Sequence, residues 1–157
     1  MCDAQYQEIV QRLADVVYRT ALNATKSYYD AQDIVQNTFL KLWQTDTVFE
    51  NDDHIRRWLI RVAVNESKNL RKSYYKRMVD SIDKAEEIPT FSDERDRDLY
   101  EALASMPPKY KITVHLFYYE DYTTEEIADL LCLNPATVRT RLFRARQILK
   151  KLLMEER

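Results

Sequence analysis

Residues 123–153 have the sequence TTEEIADLLCLNPATVRTRLFRARQILKKLL, which predicts two short helices joined by a turn. Thr123 is a suitable N-cap, because the side chain of Glu126 can reach back to the backbone N–H of the cap and complete a capping box. Apolar residues follow at the spacing of one buried helix face: Ile127, Leu130 and Leu131. The first helix is therefore expected to end near Cys132.

The second helix is predicted to start after Asn134. Asn134 can cap it, and Pro135 suits its first position, where the missing N–H would have no intrahelical partner. Its apolar residues recur every three or four positions and form one stripe: Val138, Leu142, Ala145, Leu149 and Leu152. Two such helices joined by a tight turn predict a helix-turn-helix, of the winged-helix type or a similar one.

The outer face of this second helix is basic. The range 135–151 carries six bases and no acid, although the formal net charge of the chain is -2. A helix-turn-helix places its second helix in the DNA major groove, where Arg can pair bidentately with guanine. The bases that we interpret as DNA contacts lie early in the helix: Arg139, Arg141 and Arg144. Lys150 and Lys151 lie in the last turns, where cations suit the helix dipole, and we interpret them as solvated.

The composition of the chain excludes several classes of protein. Its 157 residues contain no glycine and four prolines, which excludes glycine-rich phosphate loops. Cys2, Cys132, His54 and His115 do not fall at metal-ligand spacing, so we expect no metal site, no disulfide and no cofactor. No catalytic constellation of acid, His, Ser or Cys is recognisable, so the chain is not expected to be an enzyme.

The sequence contains no indication of a membrane segment. It begins MCDAQYQE, without a basic and apolar leader, and no apolar run approaches the ~20 residues that span a bilayer. We therefore expect a cytoplasmic protein that does not insert into the membrane.

Charge divides the chain into three parts. Residues 1–77 carry 12 bases and 10 acids, residues 78–98 carry 3 bases and 8 acids, and residues 99–157 carry 9 bases and 8 acids. The middle part, MVDSIDKAEEIPTFSDERDRD, lacks apolar periodicity, so it is predicted to be a flexible acidic linker. The fold class is accordingly all-α, with two small helical modules, 1–77 and 99–157, on either side of the linker at 78–98.

The first module begins with an amphipathic helix, whose apolar positions run from Tyr6 to Val17 and can continue through Leu22. Asp30 is predicted to cap a further helix with a broad buried stripe: Ile34, Val35, Thr38, Phe39, Leu42 and Trp43. Four polar residues lie on its opposite, wet face: Asp33, Gln36, Asn37 and Lys41. Taken alone, these polar residues indicate only a solvated surface.

A long segment from His54 to Arg77 starts as a core helix and becomes strongly basic. Its apolar stripe is Ile55, Trp58, Leu59, Val62 and Ala63, and the segment carries eight bases against Glu66. Polar and aromatic residues are interleaved with the bases: Asn65, Asn69, Tyr74 and Tyr75. This composition is typical of a surface that binds single-stranded nucleic acid, although a solvated basic helix with packed tyrosines explains it equally well.

Three stretches closely resemble the extracytoplasmic-function sigma factors of bacterial RNA polymerase. They are DAQDIVQNTFLKLW at 30–43, RRWLIRVAVNESKNLRK at 56–72 and MPPKYKITVHLFYYEDYTTEEIADLLCLNPATVRTRLFRARQILKKL at 106–152. The resemblance implies that residues 1–77 are sigma region 2, for polymerase binding and minus-10 opening, and that residues 99–157 are region 4, for the minus-35 element. It also implies three partners: core RNA polymerase, promoter DNA and an anti-sigma factor, which in this family often spans the membrane.

The resemblance assigns roles to particular residues. Contacts with core polymerase are expected from Asp33, Gln36 and Asn37. Contacts with the separating minus-10 strand are expected from Arg61, Asn65, Lys68, Asn69, Arg71 and Lys72. Contacts with the minus-35 element are expected from Thr137, Arg139, Thr140, Arg141 and Arg144. Relatives often carry Asp at the position of Asn69 and Gly at that of Cys132, where a positive φ would cost a modest strain.

Two other classes of protein remain open on the sequence. A freestanding regulator would use its N-terminal helices to dimerise or sense a ligand, and would bind DNA without polymerase. A helical adaptor, with merely solvated basic faces, would bind neither promoter DNA nor core polymerase.

Overall fold

The computed structural model describes residues 1–25, 27–76 and 94–155. Their regular structure is helical throughout, which confirms the all-α prediction. Seven α-helices occur among these residues: α1 (Asp3–Ala24), α2 (Tyr28–Gln44), α3 (Asp52–Lys76), α4 (Glu94–Ser105), α5 (Pro108–Val114), α6 (Thr124–Leu131) and α7 (Pro135–Glu155). The chain divides into two compact units, Met1–Glu86 and Glu87–Arg157.

In the first unit, α1, α2 and α3 pack around one core. Its most buried side chains include Val17, Ile34, Leu42, Leu59 and Ile60, which are fully excluded from solvent. Burial of each such side chain contributes roughly 1.5–3 kcal/mol, so this core is the main source of stability of the unit. The Tyr6 hydroxyl also donates to the carbonyl of Phe39 at 2.9 Å and ties α1 to α2.

Two details of α2 differ from the sequence prediction. The N-cap is Ser27, whose Oγ accepts from the Asp30 backbone N–H at 3.4 Å, and Asp30 itself lies inside the first turn. Both residue types are good caps, so sequence alone did not decide between them. Trp43, expected in the core, is 48% exposed, and its ring lies edge-on against Tyr6 with the centroids 5.0 Å apart.

Ion pairs attach α3 to the other two helices of the first unit. Arg12 of α1 pairs with Asp52 at 2.9 Å, and Lys41 of α2 pairs with Glu66, which is nearly buried. Lys41 therefore does not belong to a purely solvated face. The helix α3 begins two residues before the expected His54, because Asn51 Oδ1 accepts from the His54 backbone N–H at 2.8 Å.

In the second unit, helices α4, α5 and α7 share a core that includes Met106, Tyr110 and Ala145, and α6 packs against α7. Helix α4 begins at Glu94, so residues 94–98, expected in the linker, are helical instead. The excess of charge there misled the prediction, since a helix can carry many charges on its solvent face. Residues 78–93 of the predicted linker lie outside the described residues.

A π-helical turn, His115–Tyr119, connects α5 to the loop before α6. The turn brings the side chains of His115 and Glu120 to 3.2 Å, and both are almost fully buried. No sequence pattern indicated this turn.

The helix-turn-helix formed by α6 and α7 is as the sequence predicts. Thr123 Oγ1 accepts from the Glu126 backbone N–H at 3.2 Å, and Glu126 Oε1 accepts from the Thr123 N–H at 3.1 Å. Asn134 Oδ1 caps α7 by accepting from Ala136 N–H at 2.9 Å. Cys132 has φ 56 and ψ 48, the left-handed conformation that costs a non-glycine residue roughly 1–2 kcal/mol. The described residues contain no β-strand, so this helix-turn-helix has no wing within them.

Candidate nucleic-acid interface

The orientation of α7 is set by its buried side. Val138, Leu142 and Ala145 are buried in the core of the second unit. Successive helical residues point about 100° apart around the axis, so the opposite side can be identified directly. It carries four exposed residues, which we call the outer ridge of α7: Ala136, Thr140, Phe143 and Gln147.

The five residues expected to contact the minus-35 element do not form one face. Thr140 belongs to the outer ridge, and its hydroxyl donates to the Ala136 carbonyl at 3.0 Å. Thr137 and Arg144 are exposed on one flank of the ridge, with Arg141 half-buried beyond them. Arg139 is exposed on the other flank, about 140° around the axis from Arg144. The two flanks therefore carry cations on both sides of a largely uncharged ridge.

Arg139 has an acidic neighbour that sequence reasoning missed. Its Nη1 lies 3.9 Å from Oε1 of Glu125, in the first turn of α6. A backbone hydrogen bond and one from Thr124 Oγ1, at 3.0 Å, lower the pKa of Glu125, and the charge of Arg139 acts in the same direction. Glu125 is thus held in its charged form beside an arginine expected to bind DNA.

Arg146 is also held in place by neighbours. Its Nε donates to the Tyr118 hydroxyl at 2.5 Å, and its guanidinium carbon lies 5.5 Å from the centroid of the Tyr118 ring and 5.8 Å from that of Phe117. Both aromatic residues come from the π-helical turn. The aromatic contact orients Arg146 without removing its charge.

Helix α3 presents a second candidate interface on the first unit. Four of its expected minus-10 residues are exposed: Asn65, Lys68, Asn69 and Lys72. With half-buried Arg61 they recur at i, i+4, i+7, i+8 and i+11, so they lie on one side of the helix. We call these five residues the α3 stripe. The side chain of Arg71, like those of Tyr74 and Tyr75, lies outside the described part of the chain.

The start of α3 also carries an aromatic group. The Phe49 ring lies edge-on to His54 and to Trp58, with centroids 5.2 and 5.6 Å away. His54 Nδ1 accepts from the Glu50 backbone N–H at 3.1 Å. These contacts fix the loop before α3. Trp58 was expected in the core, and it is half-buried, so that prediction is confirmed only in part.

The solvent-exposed side of α2 carries apolar as well as polar residues. Asp33, Gln36 and Asn37 are exposed there, as expected. Leu40 is 52% exposed and Trp43 is 48% exposed, at i+7 and i+10 from Asp33 on the same side. We call these five residues the α2 face. The sequence analysis did not identify Leu40, although its spacing of seven residues from Asp33 places it on the same side of α2.

Other kinds of site receive no support from the residues that the structure describes. Within that part of the chain, no group of His, Cys, Asp and Glu could hold a metal ion. None of the described helices is both long and apolar enough to cross a membrane.

Comparison with known proteins matches both units to one family. Residues 9–78 match the family model described as Sigma-70 region 2, and residues 96–149 match Sigma-70, region 4. The chain is 34% identical to RNA polymerase sigma factor SigV of Bacillus subtilis, over 88% of this chain and 85% of that protein. It is 30% identical to the ECF RNA polymerase sigma factor SigE of Mycolicibacterium smegmatis, covering 94% of this chain and 61% of that relative.

A solved structure has a similar fold. The sigma factor RpoE of Bartonella quintana, in complex with the anti-sigma factor NepR, gives a TM-score of 0.78. The match covers 98% of this chain and 99% of that chain, at 21% sequence identity.

Proposed function

The chain belongs to the ECF group of the sigma-70 family of RNA polymerase sigma factors, and we propose that it binds core RNA polymerase and directs it to specific promoters. One observation carries this proposal. Each of the two units exposes a helix side that carries cations: Lys68 and Lys72 of the α3 stripe on one, and Arg139 and Arg144 on the flanks of α7 on the other. Two such surfaces on one chain fit two separate DNA elements.

The α2 face is the proposed docking surface for core polymerase. Exposed polar groups alone would suit a solvated helix, but Leu40 and Trp43 leave large apolar surfaces open beside Gln36 and Asn37. A mixture of a few apolar anchors with polar neighbours is typical of a protein–protein interface. Asp33, Gln36 and Asn37 are the contact residues that the family resemblance assigns.

The α3 stripe is proposed to hold the minus-10 strand during opening. Flipping a base out of a duplex costs a few kcal/mol, which contacts with the captured strand have to offset. Lys68 and Lys72 supply charge for the phosphates, while Asn65 and Asn69 supply hydrogen-bonding groups for bases. Phosphate contacts and hydrogen bonds to bases on this stripe would therefore offset part of the cost of opening the duplex.

The helix α7 is proposed to read the minus-35 element through Thr137, Arg139, Thr140, Arg141 and Arg144. Arginine on either flank of the outer ridge can reach guanine edges or phosphates on opposite strands of the major groove. The role is one of binding, and catalysis stays with the polymerase. The RpoE relative was solved in complex with an anti-sigma factor, and we propose that this chain also binds one. We further propose that this chain acts with the polymerase in the cytoplasm.

Reconstitution with cognate core polymerase tests the proposal. The purified chain should co-elute with core enzyme and make it initiate at particular promoters, whereas neither component should do so alone. A chain that footprints promoter DNA without core enzyme would instead be a freestanding regulator. A chain that binds neither DNA nor core enzyme would be an adaptor.

A further inference from the structure

Glu66 is a buried acidic residue in the middle of α3. Its side chain is only 11% exposed, whereas Asp52, which pairs with Arg12 at the start of the same helix, is 76% exposed. A carboxylate removed from water is unfavourable unless an opposite charge compensates it, and Lys41 of α2 supplies that charge. The buried carboxylate therefore keeps Lys41 in place, whereas a pair between exposed side chains restrains its partners only weakly.

The ion pair lies between the two surfaces that the first unit is proposed to use. On α2, Lys41 follows Asn37 by one turn, so it borders the α2 face. On α3, Glu66 precedes Asn69 by three residues, so it borders the α3 stripe. Because α2 and α3 pack against each other, the pair connects the edge of one surface to the edge of the other.

The ion pair restrains the rotation of α3 about its own axis. Most of the core of the first unit is apolar, and apolar contacts have no preferred direction. A charge-assisted hydrogen bond between an ammonium and a carboxylate is short and directional. A side chain about 6 Å from the helix axis moves by about 1 Å when the helix rotates by about 10°. Such a shift is enough to break a hydrogen bond between an amide of the α3 stripe and a base.

We propose that Glu66, held by Lys41, is a positioning residue for capture of the minus-10 strand. The pair fixes α3 in the rotation at which Asn65 and Asn69 meet the bases of the separated strand. This inference rests on the proposed function, because it takes the α3 stripe as the surface that holds this strand. Neither member of the pair contacts DNA. Their effect on strand capture is therefore separable from polymerase binding and from binding of the minus-35 element.

The test measures strand capture apart from the other steps. A promoter is first selected from a randomised library with wild-type holoenzyme, and single-stranded oligonucleotides of its minus-10 element are then titrated with Glu66→Gln holoenzyme by fluorescence anisotropy. A misalignment equivalent to one lost hydrogen bond should weaken capture about fivefold. The affinity for core polymerase, and for a duplex that carries the minus-35 element alone, should stay within about twofold of wild type.

Variants of both partners show whether the pair acts as a unit. Lys41→Met removes the charge and keeps an apolar stem, so it should weaken capture as Glu66→Gln does. Since both changes interrupt one interaction, the combined variant should capture the strand no more weakly than the weaker single variant. Arg12→Met is the matched control, because it breaks the exposed ion pair at the start of α3 and should leave capture unchanged.

The outcomes separate this inference from the proposed function. If Glu66→Gln captures the strand as the wild type does, the inference is overturned while promoter recognition stands. It is overturned equally if capture, core affinity and melting temperature fall together, since the pair then stabilises the unit without positioning the stripe. If Lys41→Met does not fold, Glu66→Gln decides alone, because glutamine has nearly the same size and its carbonyl still accepts from Lys41. If wild-type holoenzyme captures neither strand, the proposed role of the α3 stripe fails and this inference fails with it.

Discussion

Arg139 and Glu125 face each other at 3.9 Å across the turn of the helix-turn-helix, and both side chains are largely exposed. The pair joins the start of α6 to the half of α7 that is proposed to meet DNA. An acid at this point has two opposing effects. It restricts the conformations of Arg139, and it repels the phosphates that would approach the same surface.

Glu125→Gln should therefore tighten binding of the holoenzyme to all promoter sequences, by about two- to fivefold, while weakening discrimination at the position that Arg139 reads. The lowered pKa of Glu125 keeps its charge in place at and below neutral pH, so ordinary buffers suffice. Binding to cognate and to single-base variant promoters at two salt concentrations measures both effects. Asp129→Asn, which removes an acidic charge from an exposed position elsewhere on α6, is the matched control. Equal effects of the two variants would show that the pair has no special role.

Gln36→Ala combined with Asn37→Ala should weaken the affinity for core polymerase. Since both residues are exposed, the free energy of unfolding should change by less than about 0.5 kcal/mol. A matched control is Gln7→Ala with Gln11→Ala, a pair of exposed amides on α1. Titration of labelled core enzyme with each variant gives the affinities. Unchanged affinity in the α2 variant would mean that its polar residues are merely solvated.

Leu40→Ser should weaken the affinity for core polymerase by about tenfold, because it removes a proposed apolar contact. The side chain is about half exposed, so the fold should tolerate the change. Leu40→Met, which keeps the apolar volume, should bind nearly as the wild type does. Melting temperature should be similar for the three proteins. An equal loss with serine and methionine would indicate that the leucine shape, rather than its apolar surface, is needed.

Cys132→Gly should stabilise the second unit. Glycine relieves a left-handed strain of roughly 1–2 kcal/mol and loses roughly 0.5–1 kcal/mol through its more flexible unfolded state, so a net gain of up to about 1.5 kcal/mol is expected. Cys132→Ala retains the β-carbon and should gain nothing. Urea unfolding by circular dichroism measures the change. Both tryptophans, Trp43 and Trp58, lie in the first unit, so the fluorescence transition should stay constant.

The features predicted correctly from sequence are those fixed by neighbouring residues. The capping box of Thr123 and Glu126 and the cap at Asn134 involve atoms within three residues, so the sequence pattern nearly determines them. For Cys132 the expectation came from the resemblance, in which Gly is common at this position: a positive φ there would cost a modest strain, and the structure has that conformation.

Features that depend on how helices pack were not predictable in the same way. Trp43 falls at the margin of a helical stripe, and whether a marginal residue is buried depends on the distance to the next helix. The Glu125–Arg139 contact requires the actual approach of α6 to α7. The π-helical turn at His115–Tyr119 changes the helical register over a single turn. Hydrophobic periodicity does not reveal so short a change.

The final prediction separates base reading on α7 from phosphate binding. Arg139 and Arg144 lie in the first half of the helix, on either flank of the outer ridge, while Lys151 lies near its end. Base-edge contacts discriminate by roughly 1–3 kcal/mol per good pair, whereas each phosphate contact changes the affinity for all sequences and the salt slope by about one unit. Arg139→Ala or Arg144→Ala should therefore relax the sequence preference at particular minus-35 positions, and Lys151→Ala should only weaken binding slightly.

Randomised minus-35 libraries, selected with each variant holoenzyme at two salt concentrations, measure preference and salt slope together. Because the two arginines lie about 140° apart around α7, they should affect different positions of the element, and Arg139→Ala combined with Arg144→Ala should show both losses independently. If both single variants keep the wild-type preference and change only the salt slope, the flanks of α7 bind phosphates on the two strands. Sequence reading by this helix would then be confined to its outer ridge.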